Sequence, residues 1–140
     1  MAKQKKTWVE KRDGGKPSEV KECPNGFADI KPGQMMLIPS ARQIDNFIRN
    51  RPAGTHIELK DLRLALARAK GAEISCPVVT GIHLRVVAEA AHEELEAGKA
   101  LPEITPIWRA IGPKTKTLKK LSFDYGFILE QRVLEGIAEA

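Results

Sequence analysis

Cys76 and His83 are the two residues of this chain whose types most invite a reading as chemistry. A thiol at the start of a helix has its pKa lowered, and a cysteine beside a histidine is a common nucleophile and base. The spacing defeats the pairing. Seven residues are two helical turns, about 10 Å along the axis, too far for direct proton transfer. Cys76 is therefore expected to be a buried structural thiol. A metal centre is not expected either, because Cys23, Cys76, His56, His83 and His92 lack the close paired spacings of zinc ligands. Glu93 and Glu94 point to different faces of a helix, which suits solvation better than acid–base work. There is no glycine-rich phosphate loop, and no cofactor is expected.

What remains is cationic. Thr80, His83 and Arg85 fall on the N-terminal half of one predicted helix, and Lys114, Lys116, Lys119 and Lys120 cluster further on. The 140 residues carry a net charge of +5 with a sequence pI of about 9.3. That balance favours a polyanionic partner, duplex DNA above all. Two cysteines make no disulfide framework and suit a reducing cytoplasm. No apolar run approaches bilayer length, and MAKQKKTWVEKRDGG has no apolar signal core, so neither a membrane nor secretion is expected.

The elements that must position these residues follow from periodicity. Residues 1–37 carry Lys3, Lys5, Lys6, Lys11, Arg12, Lys16 and Lys21 among glycines and prolines, with Trp8 and Val9 as early apolar anchors. They read as a flexible or loosely docked basic arm, or as one that tracks phosphates. The domain proper, 38–140, opens with Ser40 as a helix cap and Gln43 completing a capping box, with Ile38 and Ile44 as a hydrophobic staple. Leu59, Leu62, Leu66 and Ala69 predict a second helix ending at Gly71. Ile82, Val86 and Ala90, widened by Val87 and Ala91, predict a third that starts near Ser75-Cys76-Pro77. The two make a helix-turn-helix, and the later helix would lie in a DNA major groove. Its acidic end (Glu89, Glu93, Glu94, Glu96) is expected to face solvent. ITPIWRAI reads as a strand, GPKTKT as a turn and LKKLSF as a return strand. That hairpin is either a wing holding phosphates through its lysines or an ordinary solvated hairpin. Residues 125–139 close the chain as a helix, with Phe127, Ile128, Leu134 and Ile137 available for packing. The expected fold is mainly α, a winged helix-turn-helix with a small β-hairpin wing.

In that order the elements resemble the C-terminal DNA-binding domain of alkylguanine-DNA alkyltransferases, over roughly residues 38–137. The family's R-A-V-G-x-A helix is similar to Arg85-Val86-Val87-Ala88-Glu89-Ala90, its P-C-H-R-V strand to Pro106-Ile107-Trp108-Arg109-Ala110, and its closing E-G to Glu135-Gly136. The resemblance implies that Arg85 would enter the base stack in place of a flipped nucleotide. It also implies no alkyl transfer. Ile107 stands at the position of the acceptor cysteine and Trp108 at that of its activating histidine, and an isoleucine has no lone pair to attack an alkyl group. Leu59 stands where the family keeps a tyrosine, and the asparagine hinge after the recognition helix is missing.

Alkyltransferase-like proteins, which lack the cysteine yet bind alkylated DNA and pass it to repair partners, are the nearer pattern. Small bacterial members with CP-x-TTGI and PYWR stretches resemble Cys76–Ile82 and Pro106–Arg109 here. The expectation is thus a non-catalytic DNA-binding protein, recognising alkylated or distorted DNA, with a protein partner in repair. Its contacts would come from Thr80, His83, Arg85, Trp108, Arg109, Lys114, Lys116 and Lys119. Arg85 has a second reading as a surface residue paired with Glu89 at i+4. Trp108 could stack on an extruded base or simply sit in the core, and strand alternation would put Arg109 on the opposite face. Two other functions fit the same chain: a winged-helix transcription regulator reading bases through Thr80, His83 and Arg85, and a protein–protein module docking through the acidic helix end.

Overall fold

A computed structural model describes residues 6–137. Among the described residues there are five α-helices, three short 3₁₀ turns and one three-stranded sheet, so the chain is α-rich.

Helix α1, Trp8–Gly14, is set by a complete capping box: Thr7 accepts from the Glu10 amide, and the Glu10 carboxylate accepts from the Thr7 amide. Strands β1, Glu19–Cys23, and β2, Gln34–Ile38, form an antiparallel hairpin in which Val20 faces Leu37 and Cys23 faces Gln34. The connecting loop turns at Gly26, whose φ is +64° and where a Cβ would stand 2.6 Å from the Ile30 carbonyl oxygen. Of residues 1–37, expected as a flexible or loosely docked basic arm, 1–5 lie outside the described residues and 7–37 are built into the fold. Their helix is anchored by the buried Arg12, and their hairpin supplies the buried Leu37.

Helix α2, Ala41–Arg49, starts at Ser40 as expected, with the Ser40 hydroxyl accepting from the Gln43 amide. The reciprocal half of that capping box is absent. The Ser40 amide donates to Ser18 Oγ at 2.9 Å, and the Gln43 side chain instead reaches the Leu66 carbonyl. Ile44 and Ile48 are fully buried. Helix α3, Leu59–Ala69, ends on Lys70 with Gly71 at φ +72°, a left-handed position that glycine takes at no steric cost.

Helix α4, Pro77–Glu96, begins on Cys76 with proline at its first turn. The connection between α3 and α4 contains a two-residue strand, β3 (Ile74–Ser75), lying parallel to β2. Arg63 fastens it, donating to the Ser75 carbonyl while forking onto Asp29 of the hairpin loop at 2.7 and 2.9 Å. The α3–α4 pair is thus welded to the N-terminal hairpin.

Beyond α4 the expectation of a β-hairpin wing fails. Among the described residues there is no strand between 102 and 121. Instead, 3₁₀ turns cover Leu101–Glu103, Ile107–Arg109 and Lys116–Lys120. The inward apolar positions do not follow the two-residue period of a pleat: Ile104, Ile107, Ile111 and Leu118 stand three, four and seven residues apart, and all are buried. Helix α5, Gly126–Leu134, ends earlier than expected, with Gly136 at φ +72°. Ile128 and Ile137 are core residues, whereas Leu134, expected to pack, is exposed.

The main core joins β2, α2, α3, α4 and α5 through Leu37, Ile44, Leu66, Leu84, Ile107 and Ile128. A smaller cluster of Cys23, Ile30, Met36, Ile74 and Cys76 lies under the hairpin. Among the described residues no helix is long and apolar enough to cross a membrane.

Candidate nucleic-acid interface

The predicted apolar stripe of α4 is rotated from its expected position. Leu84, Val87, Ala88 and Ala91 face the core, while Ile82 is 56% and Val78 58% exposed. Val78, Ile82 and Arg85 follow one another at i, i+4 and i+7, a single outward stripe on the first half of the helix. This stripe floors a groove of about 720 Å³. Leu59 and Val86 add apolar floor, α1 contributes Trp8 and Lys11, and the third 3₁₀ turn contributes Lys116 and Lys120. Among the described residues, four cationic side chains thus surround an apolar floor whose lining includes no carboxylate.

Arg85 crosses this groove under light restraint. Its Nε lies 3.4 Å from Glu89 Oε2, and its guanidinium carbon 5.4 Å from the centre of the Trp8 ring. Lys11 Nζ lies 4.3 Å from the same ring centre. Glu89 is held more firmly by Ser122, whose amide and hydroxyl both donate to it. Part of the surface reading of Arg85, its pairing with Glu89, is therefore present, but the side chain also belongs to the groove.

The acidic half of α4 does not face solvent, apart from Glu96. It is the seat of α1. Glu93 accepts from the Trp8 and Val9 amides at 3.1 Å each, capping the helix that carries the groove's aromatic wall. Glu94, 5% exposed, accepts from Arg12 and Lys99. Burial alone would raise the Glu94 pKa, but the hydrogen bonds from Lys99 and Arg12 outweigh it and bring it below the ordinary value. Arg12 is pushed the other way, first by its hydrogen bond to Asp13 and then by Glu94. Asp13 extends the chain of charges to Arg42 on α2 at 2.9 Å.

Of the sequence-predicted contacts, Arg85 and Lys116 line the groove. Lys114 and Lys119 are exposed but outside its lining. Thr80 is fully buried, its hydroxyl spent on the Cys76 carbonyl at 2.6 Å. His83 is turned away, with Nδ1 2.7 Å from the Pro39 carbonyl oxygen, which also removes it from any exchange with Cys76. Both cysteines are buried and free.

Trp108 and Arg109 were expected on opposite faces of a strand. The 3₁₀ turn brings them onto one carboxylate instead. Trp108 Nε1 donates to Glu135 at 2.8 Å, and Arg109 donates through Nε and Nη2 to the same group at 3.0 and 2.8 Å. Arg109, helped by the Gly54 amide and Trp108, lowers the Glu135 pKa from 4.5 to about 2. Trp108 is only 4% exposed. These two residues tie the 3₁₀ turn to the end of α5 and are not available to a ligand. Behind them Arg132 donates to the Trp108 carbonyl and lies against Gly112, where a Cβ would come within 2.7 Å of its guanidinium.

Sequence reasoning missed Trp8 and Lys11 as groove residues. The signal was there: Thr7-x-x-Glu10 is a capping box, and it places Trp8 and Lys11 three apart on one helical face. Among the described residues, no group of three or more histidine, cysteine or acidic side chains is placed to hold a metal. Neither a protein-family model, nor a curated protein, nor a solved structure matches this chain.

Proposed function

We propose that the protein binds DNA, at alkylated or distorted sites, through the groove on the first half of α4 and without chemistry of its own on the DNA. The observation that carries this reading is the groove itself. Among the described residues Lys11, Arg85, Lys116 and Lys120 surround an apolar floor with no lining carboxylate, an arrangement that attracts a polyanion. Exposed Val78 and Ile82 are suited to apolar contact with a thymine methyl or a base face. The resemblance to alkyltransferase-like proteins points the same way, since Arg85 stands at the position of that family's inserted arginine. Ile107 and Trp108, at the positions of its acceptor and base, are buried parts of the core.

The rival readings draw less support. A regulator reading bases through Thr80 and His83 would need side chains that here are buried or bound to backbone carbonyls. A module docking through the acidic end of α4 would need a surface that α1 already covers.

Fluorescence anisotropy with two labelled duplexes, one plain and one carrying a single alkylated guanine, tests the proposal over a range of salt. Binding should weaken steeply with salt, and the double variant Lys116→Ala/Lys120→Ala should reduce the log–log salt slope by about one per lysine. Preference for the alkylated duplex should disappear in Arg85→Ala. Salt-independent binding, or none, would overturn the proposal. Equal affinity for the two duplexes would retain the DNA groove and remove the lesion.

A further inference from the structure

The groove is incomplete without α1. Its aromatic side chain, Trp8, and one of its four cations, Lys11, come from that helix. We propose that Trp8 stacks on an unpaired nucleobase and Lys11 takes the adjoining phosphate, with Glu93 and Glu94 as positioning residues that hold α1 against the groove. This assignment rests on the DNA-binding reading above and names the part of the DNA that the site engages.

Three observations carry it. Trp8 is half-buried and anchored through its backbone: the Trp8 and Val9 amides are fixed on Glu93 while the ring lines the groove. The ring is already in contact with cations, with Lys11 Nζ at 4.3 Å and Arg85 at 5.4 Å from its centre. A base that stacks on the ring therefore arrives with positive charge waiting for its phosphates. An exposed cation–π contact is worth less than a base–aromatic stack, so the exposed Lys11 can yield the ring to a base and swing to the backbone. Finally, the first half of α4 is the floor of the groove, with α1 and the 3₁₀ turn Lys116–Lys120 also lining it. A floor between walls receives a strand. In an intact duplex the base faces are covered by their neighbours, so Trp8 finds a partner only where a base has left the stack.

The test compares an intact duplex with the same duplex carrying a gap of three unpaired nucleotides, by anisotropy and by tryptophan emission. Trp108 is 4% exposed, so quenching on binding reports Trp8. The full-length protein should bind the gapped duplex more tightly and lose emission. Trp8→Ala should weaken that binding about tenfold or more and erase the preference, and Trp8→Phe should restore most of both. Lys11→Ala should reduce the salt slope by about one. Glu93→Ala should behave like Trp8→Ala, while Glu93→Gln, whose amide oxygen still accepts from the α1 amides, should recover part of the affinity. Thermal melts of each variant separate a detached α1 from a lost fold. If the unmodified protein binds and Trp8→Ala binds equally, with emission unchanged in the parent, the assignment is overturned and the groove reading stands. If the unmodified protein binds neither DNA, the groove reading itself falls and this assignment with it.

Discussion

The two halves of α4 differ in what they do with their outward faces. The first half leaves Val78, Ile82 and Arg85 uncovered and carries no carboxylate before Glu89. The second half has four, and three of them (Glu89, Glu93, Glu94) are turned to structural use, on Ser122, on the α1 amides, and on Arg12 with Lys99. The sign of a charged run is therefore a poor guide to whether it meets water. A carboxylate that finds an amide or a guanidinium can be buried at a helix crossing, and here that crossing builds the wall of the groove. One half of the helix is the site and the other half is its fastening.

This contrast makes predictions of decreasing size. Glu94→Ala should cost the most, about 3 kcal/mol, because it removes a charge-assisted hydrogen bond from the 5% exposed Arg12, leaving its Nη1 without Glu94 and only Asp13 to balance the charge, and frees Lys99 as well. Chemical denaturation would show it as a lowered midpoint, and an unchanged midpoint would break the idea that the acidic half carries load. Glu135 offers the same device away from α4 and sharpens the comparison through pH. Its carboxylate is depressed from 4.5 to about 2 in the fold. The stabilisation is complete above the unfolded value and is lost as pH falls from 4.5 toward 2. It amounts to roughly 2–3 kcal/mol for a group whose side chain is 15% exposed. Glu135→Gln should remove most of that acid sensitivity along with the stability, read from melting temperatures between pH 2 and 6. At the small end, Ile82→Ser should change stability by less than about 0.5 kcal/mol while weakening DNA binding. A large loss of stability there would mean that the first half of α4 is as structural as the second.

The parts of the fold legible in sequence are those with a local cause. Ser40 before Ile44 and Ile48, Gly71 after Leu66, and Pro77 after Cys76 each fix a helix end within a few residues, and α2, α3 and α4 follow. The face of α4 was harder to read. Its apolar residues are so numerous that two stripes fit the sequence, and only tertiary packing decides that Leu84 and Val87 go inside and Ile82 outside. The hairpin was hidden because β1 is EVKEC, with only Cys23 buried, so no alternation betrays it. Pro24-Asn25-Gly26 was its available turn signal. ITPIWRAI has strand-forming residues, but Pro106 and the inward spacing of Ile104, Ile107 and Ile111 favour a 3₁₀ turn. That difference moved Trp108 and Arg109 from the candidate site to the core. Arg85 and Lys116 were found because charge near the start of a helix and charge in a turn are both readable. Trp8 and Lys11 were not, since their value depends on where α1 docks, and that is set by residues 85 positions away.

That separation also orders events in time. The α1 segment leaves the ribosome well before Glu93 is joined to the chain, and 85 residues take roughly 4–17 s to add at ordinary rates of synthesis. During that interval the capping box can form, being local, while the amides of Trp8 and Val9 have only water to meet. The groove thus cannot form before α4 is made, and since α4 and the later Ile107 and Ile128 also build the core, the site and the core are completed together.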